Sequence, residues 1–222
     1  MFKKIVITGG LGYIGTELCK IYSGESWRNQ ITVIDNRFAS ERVNQLRNWS
    51  INFVLADIRD SENVKQFLKE ADAIHHLAGI TDVARTKEES NSDKDKEMND
   101  IAEKGTSVVL SESSENCKII FPSTHVVFEG KGEIGKNIEE DYKKFPVLSY
   151  GIGKDKNEEQ IKESGKNYVI LRLASVYGYS TDTMRLNIMP NLFSKISSQN
   201  GRIKLFAGGK QLKCLVHINF VF

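Results

Sequence analysis

The sequence predicts an α/β fold in which helices cover both faces of a parallel sheet. Short apolar runs rich in Ile and Val alternate along the chain with longer segments of helical periodicity. A glycine-rich run at residues 8–15 directly follows the first apolar run, and Asp35 closes the second one. A glycine turn that leaves a strand, with an acid about 20 residues later, is typical of a dinucleotide-binding unit.

Six strands and five helices are predicted in alternation, which favours a doubly wound parallel sheet. The predicted strands are residues 5–8, 31–35, 51–56, 73–77, 118–121 and 168–173. The predicted helices are residues 15–22, 40–49, 61–70, 93–111 and 149–163. Ser61 is the expected N-cap of its helix. The charge-dense stretch 87–104 is interpreted as the solvated face of a helix and its lead-in, with a disordered loop as the alternative.

Composition excludes several classes of protein. The 222 residues suit one sizeable core, and 31 basic against 29 acidic residues, a net charge of +2, give no argument for nucleic acid or a membrane surface as partner. Apolar runs are too short for a signal peptide or a membrane span. Cys19, Cys117 and Cys214 are odd in number and far apart, which favours buried thiols over disulfides or metal ligands. We expect a cytoplasmic protein without a metal site.

The glycine-rich run has the spacing of a phosphate cradle. Gly9, Gly12 and Gly15 would let the chain turn tightly and let backbone N–H groups approach a pyrophosphate at a helix N-terminus. Asp35 stands where a carboxylate would hold the adenosine ribose.

Tyr150 and Lys154 lie four residues apart in a predicted helix and therefore share one of its faces. A neighbouring ammonium stabilises a phenolate, so Lys154 is expected to lower the pKa of Tyr150 toward a useful acid/base range. The alternative is coincidence, because this spacing arises by chance in many helices. Gly151 and Gly153 would cost about 1 kcal/mol each relative to alanine. That cost is easier to understand if something approaches the helix backbone closely.

Ser123 and Thr124 follow the fifth apolar run, at the strand edge where doubly wound sheets bind ligands. Either hydroxyl could bond a hydroxyl or carbonyl of a substrate. The alternative is an N-cap or a turn.

Seven motifs in order and spacing resemble the extended short-chain dehydrogenase/reductases of the NAD-dependent epimerase/dehydratase type, which act on nucleotide sugars. The motifs are residues 8–15, Asp35-Asn36, 56–60, 75–79, Ser123-Thr124, Tyr150 with Lys154, and 172–178. The resemblance runs from residue 3 to about 218. It implies a Rossmann-type sheet, NAD as cofactor and a nucleotide sugar as substrate.

The resemblance also implies a role for each matching residue. Thr124 would bond the reacting oxygen, Tyr150 would be the acid/base, and Lys154 would hold the nicotinamide ribose. Ser123, Thr124 and Lys213 would contact substrate, with Lys213 where an arginine commonly meets the diphosphate. The implied cofactor contacts are Gly9, Gly12, Tyr13, Ile14, Gly15, Asp35, Asn36, Asp57, Ile58, Leu77, Ala78, Gly79, Tyr150 and Lys154.

Two departures from the family pattern shape the expectation. His125 and Val126 stand where 4,6-dehydratases carry an acidic pair, which disfavours a dehydratase. His125 is either an acid/base or a structural histidine. The sequence ends in residues 219–222 where relatives continue, so a cofactor domain at 1–178 is expected to be followed by an incomplete, truncated substrate lobe at 179–222.

The favoured hypothesis is an NAD-dependent epimerase or related oxidoreductase that acts on a nucleotide sugar through a transient ketone. The alternative is a catalytically silent NAD-binding protein. A set of apolar residues near the C-terminus is expected to be exposed and to drive self-association or homodimer formation. The set is Leu186, Ile188, Met189, Leu192, Phe193, Ile196, Leu215, Val216, Phe220 and Phe222.

Overall fold

A computed structural model describes residues 2–24, 30–81, 92–131, 137–180 and 183–221. Residues 87–91 of the charge-dense stretch and Phe222 of the apolar C-terminal set lie outside the described residues. The part of that stretch from residue 92 onward is helical, as the sequence predicts.

Six parallel strands form one sheet in the order β3-β2-β1-β4-β5-β6. The strands are β1 (Ile5–Thr8), β2 (Ile31–Asp35), β3 (Asn52–Leu55), β4 (Ala73–His76), β5 (Lys118–Thr124) and β6 (Asn167–Leu173). The register pairs Thr8 with both Ile34 and His76, so the carboxyl ends of three strands meet at one edge. The strand order reverses between β1 and β4, which confirms the doubly wound parallel sheet.

Helices cover both faces of this sheet because alternate strand residues point to opposite sides. Val6 packs in one core cluster with residues of the third, fourth and fifth helices, whereas Ile5 and Ile7 pack in another with residues of the first two. The helices are α1 (Tyr13–Ser23), α2 (Ser40–Asn48), α3 (Ser61–Lys69), α4 (Ser92–Glu112), α5 (Ser149–Glu163) and α6 (Met189–Ser198).

Two local expectations need correction. The N-cap of α3 is Asp60 and not Ser61, because the Asp60 carboxylate accepts from the backbone N–H of Asn63 while the Ser61 hydroxyl donates to Glu112. The fifth strand extends three residues beyond its expected end, to Thr124. It does so because β6 continues beside it and offers pairing partners up to Leu173.

Beyond the main sheet, β7 (Ser175–Tyr177) pairs in parallel with β8 (Leu215–His217). The Tyr13 hydroxyl donates to the carbonyl of Gly178 at 2.7 Å, which ties this region to the start of α1. Much of the following chain is open to solvent: Phe220 is 82 % exposed and Leu212 72 %. Over the described residues, no helix is both long and apolar enough to cross a membrane.

A buried polar chain crosses the core below the carboxyl edge of the sheet. The two ring nitrogens of His76 contact the hydroxyls of Thr8 at 2.9 Å and Thr106 at 3.0 Å, and the Asn157 amide donates to Thr106 at 2.9 Å. Burial lowers the pKa of His76 to about 3, and burial lowers that of its neighbour His75 to about 4. Both rings are therefore neutral in the folded protein.

We expect the free energy of unfolding to fall as the pH drops below the ordinary histidine pKa of 6.5. Below that value His75 and His76 bind protons in the unfolded chain but stay neutral in the folded protein. Each histidine therefore lowers the free energy of unfolding by up to about 1.4 kcal/mol per pH unit. Urea unfolding at pH about 7.5 and about 5.5 measures this, above the range where carboxylates titrate. His75→Phe should show a shallower pH dependence. Equal stability of the wild-type chain at both pH values would contradict the expectation.

Candidate active site

A cavity of about 710 Å³ opens at the carboxyl edge of the sheet, beside the reversal of strand order between β1 and β4. All the residues that the sequence analysis predicted for the cofactor, substrate and catalytic sites line this cavity. Their chemical roles remain predictions. These residues are Gly9, Gly12, Tyr13, Ile14, Gly15, Asp35, Asn36, Asp57, Ile58, Leu77, Ala78, Gly79, Ser123, Thr124, Tyr150, Lys154 and Lys213.

The turn from β1 into α1 requires glycine. Gly9 has a φ of +69°, and a Cβ there would lie 2.8 Å from the backbone of Ala78 on the neighbouring chain segment. A Cβ on Gly15 would lie 2.6 Å from the Cα of Gly10. Helix α1 begins at Tyr13 beside the cavity, and the backbone N–H groups of a first helical turn lack partners within the helix. This end of the cavity is suited to a pyrophosphate.

Asp35 presents a fixed carboxylate at the end of β2. Its Oδ2 accepts from the backbone N–H of Leu11 at 3.0 Å, and its Oδ1 accepts from the backbone N–H and the Nε of Arg37, at 3.0 and 3.3 Å. A carboxylate has about four acceptor sites, so it can also accept from a ribose hydroxyl.

Asp57 is held by Arg59, whose Nη2 donates to it at 2.7 Å. Arg59 also donates to Asp100 on α4 at 2.8 Å. The hydrogen bond from Arg59 lowers the pKa of Asp57 to about 2, against the opposing effect of burial. The charge at this end of the cavity is therefore paired and fixed.

Tyr150 and Lys154 lie one turn apart on α5, as the spacing predicts. The Nζ of Lys154 donates to the carbonyl of Pro122 at 2.8 Å and lies 4.3 Å from the centre of the Phe121 ring. Thr124 is buried at the end of β5, and its Oγ1 accepts from the backbone N–H of Val126 at 3.2 Å. Its hydroxyl hydrogen can then be donated to a ligand in the cavity.

The pKa of Tyr150 shifts in the opposite direction to the expected one. Burial raises the pKa of Tyr150, and the positive charge of Arg185 opposes that rise. Burial lowers the pKa of Lys154 to about 8, and the negative charge of Glu158 opposes that fall. The pKa of Tyr150 is therefore not lowered as the sequence predicts. The ammonium of Lys154 donates to the carbonyl of Pro122, and burial disfavours its charged form.

Two other side chains at this edge are engaged within the protein. The Ser123 hydroxyl donates to Oε1 of Glu158 at 2.5 Å. The Nδ1 of His125 lies 3.1 Å from the carbonyl of Leu173, and because a carbonyl only accepts, this nitrogen is the donor. Both side chains are therefore oriented before any ligand binds.

The sequence motifs missed Glu129, Arg185 and Asn187, which also line the cavity. The Nε of Arg185 donates to Oδ1 of Asn187 at 2.8 Å, and its Nη2 donates to the carbonyl of Thr81 at 2.5 Å. Pro190, in the first turn of α6, marks where that helix begins but gives no hint of the cavity.

Gly151 and Gly153 of α5 are required by close packing against neighbouring segments of the protein. A Cβ on Gly151 would lie 3.3 Å from Val126 and Pro146, and one on Gly153 would lie 3.3 Å from Asn99 of α4. Neighbouring segments therefore approach the helix backbone closely at both positions.

The sequence profile of the NAD dependent epimerase/dehydratase family matches residues 5–219. The chain belongs to this family. The resemblance seen in the motifs is thereby confirmed over nearly the whole sequence, and the protein is an enzyme of this family.

Individual relatives agree with this assignment. The chain is 25 % identical over 230 residues to the UDP-N-acetyl-alpha-D-glucosaminuronate decarboxylase of Bacillus cytotoxicus, covering 99 % of this chain and 68 % of the relative. It is 27 % identical over 187 residues to UDP-arabinose 4-epimerase 1 of Arabidopsis thaliana, covering 78 % of this chain but 43 % of the relative. A crystal structure of the UDP-glucuronic acid 4-epimerase of Bacillus cereus with UDP-glucuronic acid and NAD superposes with a TM-score of 0.80, at 25 % identity, over 97 % of this chain and 69 % of the other.

The cofactor of this family is NAD, and the residues present fit it. Gly9 and Gly15, where a Cβ would clash with neighbouring backbone, lie at the start of α1. The Asp35 carboxylate lies at the end of β2 in the same cavity. Gly9, Gly12 and Gly15 would hold the pyrophosphate, and Asp35 a ribose. In the part of the chain that the structure describes, no three His, Cys, Asp or Glu side chains gather in a way that could hold a metal ion.

We expect NAD(H) to bind at least about tenfold more tightly than NADP(H), a difference of about 1.4 kcal/mol. The Asp35 carboxylate accepts from a 2′-hydroxyl and repels a 2′-phosphate, although Arg37 beside it reduces that repulsion. Calorimetric titration with both cofactors measures the ratio. Asp35→Asn should narrow it, and Asp141→Asn, at an exposed aspartate outside the cavity wall, should not. Equal or tighter binding of NADP(H) would contradict the assignment of Asp35.

Proposed function

We propose that this chain is an NAD-dependent epimerase, or a related oxidoreductase, that acts on a nucleotide sugar through a transient ketone. The observation that carries the proposal is the convergence of Thr124, Tyr150 and Lys154 on the cavity that also holds the glycine turn and Asp35. One relative named above is a 4-epimerase of UDP-arabinose and another a 4-epimerase of UDP-glucuronic acid, which supports the reaction type.

NAD supplies the reversible hydride acceptor for oxidation at the sugar carbon. Tyr150 in its phenolate form takes the proton of the sugar hydroxyl, and the charge of Arg185 favours that form against the effect of burial. Thr124 donates a hydrogen bond to the same oxygen. Inversion would follow when the ketone turns in the cavity, so that the hydride returns to the opposite face of the same carbon while Tyr150 returns the proton to its oxygen.

The substrate side of the cavity supports a diphosphate-linked sugar. Arg185 and Lys213 bring positive charge to a wall that also contains Asn187. Guanidinium and ammonium groups are the usual partners of phosphate oxygens. We propose on this basis that residues 1–178 bind the cofactor and that residues 179–222 supply part of the substrate wall.

A cytoplasmic location is also part of the proposal. Cys19, Cys117 and Cys214 are free thiols. Burial raises the pKa of the Cys19 thiol to about 12 and that of Cys117 to about 11, so both are inert. Free thiols persist in a reducing compartment.

We predict that Tyr150→Phe reduces turnover about 10²–10⁴-fold while NAD affinity stays nearly unchanged. Lys154→Met should damage both, because Lys154 lines the cavity and would hold the nicotinamide ribose. A panel of UDP-sugars, followed by hydride transfer to bound NAD and by product analysis, measures turnover. Tyr168→Phe, on the outer strand β6, is the matched control.

The outcomes of that assay separate the two hypotheses. Near-full turnover by Tyr150→Phe would reject Tyr150 as the acid/base. A wild-type chain that binds NAD and converts no nucleotide sugar would favour the silent NAD-binding alternative.

We further propose that the chain self-associates, as a homodimer or larger assembly, through exposed apolar residues near its C-terminus. Of the expected set, four residues are exposed: Leu186, Met189, Leu215 and Phe220. The other members that the structure describes are half-buried, against the expectation: Ile188, Leu192, Phe193, Ile196 and Val216. Tyr179, Leu205 and Leu212, outside that set, are each more than half exposed. Contiguous apolar patches of more than a few hundred Å² usually find a partner.

Light scattering over a range of protein concentrations should therefore show an average mass above that of one chain, 25.1 kDa. The double variant Leu212→Ser with Phe220→Ser should lower that mass by removing apolar area from the contact. Phe38→Ser, at a residue 63 % exposed next to β2, is the control and should leave it unchanged. A monodisperse wild-type monomer at every concentration would reject the proposal.

A further inference from the structure

Glu158 is a fully buried carboxylate on α5, one turn beyond Lys154. Arg172 donates to it from Nε at 3.0 Å and from Nη2 at 2.8 Å, and the Ser123 hydroxyl donates at 2.5 Å. The Nζ of Lys144 lies 3.4 Å from its Oε2. Four donors on three different segments thus converge on one side chain that does not line the cavity.

The contacts of α5 fall on consecutive residues of β5. Lys154 donates to the carbonyl of Pro122, and Glu158 accepts from the hydroxyl of Ser123. The next residue is Thr124, on the cavity wall. Glu158 therefore fixes the strand end that carries Thr124 against the helix that carries Lys154.

The charge of Glu158 is preserved by its partners. Burial alone would raise the pKa of Glu158, but the hydrogen bonds from Arg172 and Ser123 and the charges of Arg172 and Lys144 outweigh burial and leave the pKa below its ordinary value. Glu158 is therefore anionic at neutral pH, one helical turn from the ammonium of Lys154.

The groups that contact the Lys154 ammonium, the Phe121 ring and the carbonyl of Pro122, carry no negative charge. Lys154 faces the aromatic ring of Phe121 and the carbonyl of Pro122 on β5, the neutral ring of His76 on β4, and Tyr150 on its own helix. Of the titratable groups that act on its pKa, Glu158 is the one that raises it. Around Glu158, the cations are Arg172 on β6 and Lys144 in the loop before α5, and Lys144 also pairs with Asp155 and Glu159.

We propose that Glu158 is a positioning residue for the candidate active site, which holds the end of β5 against α5 and places a buried negative charge one helical turn from the Lys154 ammonium. The proposal rests on the proposed function only because it takes Lys154 as a cofactor-binding residue and Thr124 as a substrate-binding residue. It predicts that the charge of Glu158 acts on Lys154, one turn away on the same helix, and this effect can be measured on the protein without substrate.

The test is the titration of Lys154 itself. The full chain is labelled with ¹³C at the lysine Cε, the Lys154 resonance is assigned by its loss in Lys154→Arg, and its shift is followed by NMR against pH. The wild-type midpoint is expected at about 8. Glu158→Gln keeps the size of the side chain, removes its charge, replaces one acceptor oxygen by a donating NH2 group, and should lower the midpoint by about one pH unit or more. Glu158→Asp keeps the charge and should restore most of the wild-type value.

Glu159→Gln is the matched control, because it removes a carboxylate at the next position of α5 that also pairs with Lys144 but is half-exposed. Its Lys154 midpoint should equal that of the wild type. An unchanged midpoint in Glu158→Gln would overturn the proposal and leave Glu158 with a structural role only, as the partner of Arg172, Ser123 and Lys144.

Glu158→Gln leaves the Arg172 guanidinium without its carboxylate and is at risk of unfolding. The double variant Glu158→Gln with Arg172→Met removes both charges, and replacing a whole buried ion pair is often tolerated. A lowered midpoint there supports the proposal and an unchanged one overturns it. Because the titration needs no ligand, absence of nucleotide-sugar turnover would reject the proposed function and leave this result intact.

Discussion

The parallel pairing of β1 with both β2 and β4 is the constraint on which the rest of the structure depends. It brings the residues that end these strands to one edge, so that Asp35, the glycine turn after Thr8 and the segment after His76 meet around one cavity. The pairing is held from both faces, because alternate residues of β1 enter two different apolar cores. A shift by one residue would exchange the two faces and lose both cores.

Buried polar contacts then fix the side chains that the sheet has brought together. The chain of hydrogen bonds through His76 joins β1, β4, α4 and α5 below the cavity. The second network, around Glu158, joins β5, α5 and β6 beside it. Both networks place polar groups in the core, and unpaired groups there are costly. A satisfied network therefore allows few alternative arrangements of Thr124 and Lys154.

Burial shifts the pKa values of Tyr150 and Lys154 in opposite directions. It raises the pKa of Tyr150 and lowers that of Lys154 to about 8, so each is moved toward its neutral form. Arg185 and Glu158 oppose these shifts from outside the five-residue motif that runs from Tyr150 to Lys154. The motif alone therefore does not set the protonation of the site; two charges from separate segments of the chain take part.

The sequence by itself determined the α/β class, the six strands of the main sheet and many of the residues that line the cavity, because periodicity, glycine spacing, strand ends and family motifs are all present in short stretches of sequence. Only the tertiary structure decided that the Ser61 hydroxyl donates to Glu112 instead of capping α3, that β5 runs on to Thr124 beside β6, and that the Ser123 hydroxyl donates to Glu158. It also placed Arg185 beside Tyr150. Each of these depends on contacts between residues far apart in the chain, and on burial, which no local pattern encodes.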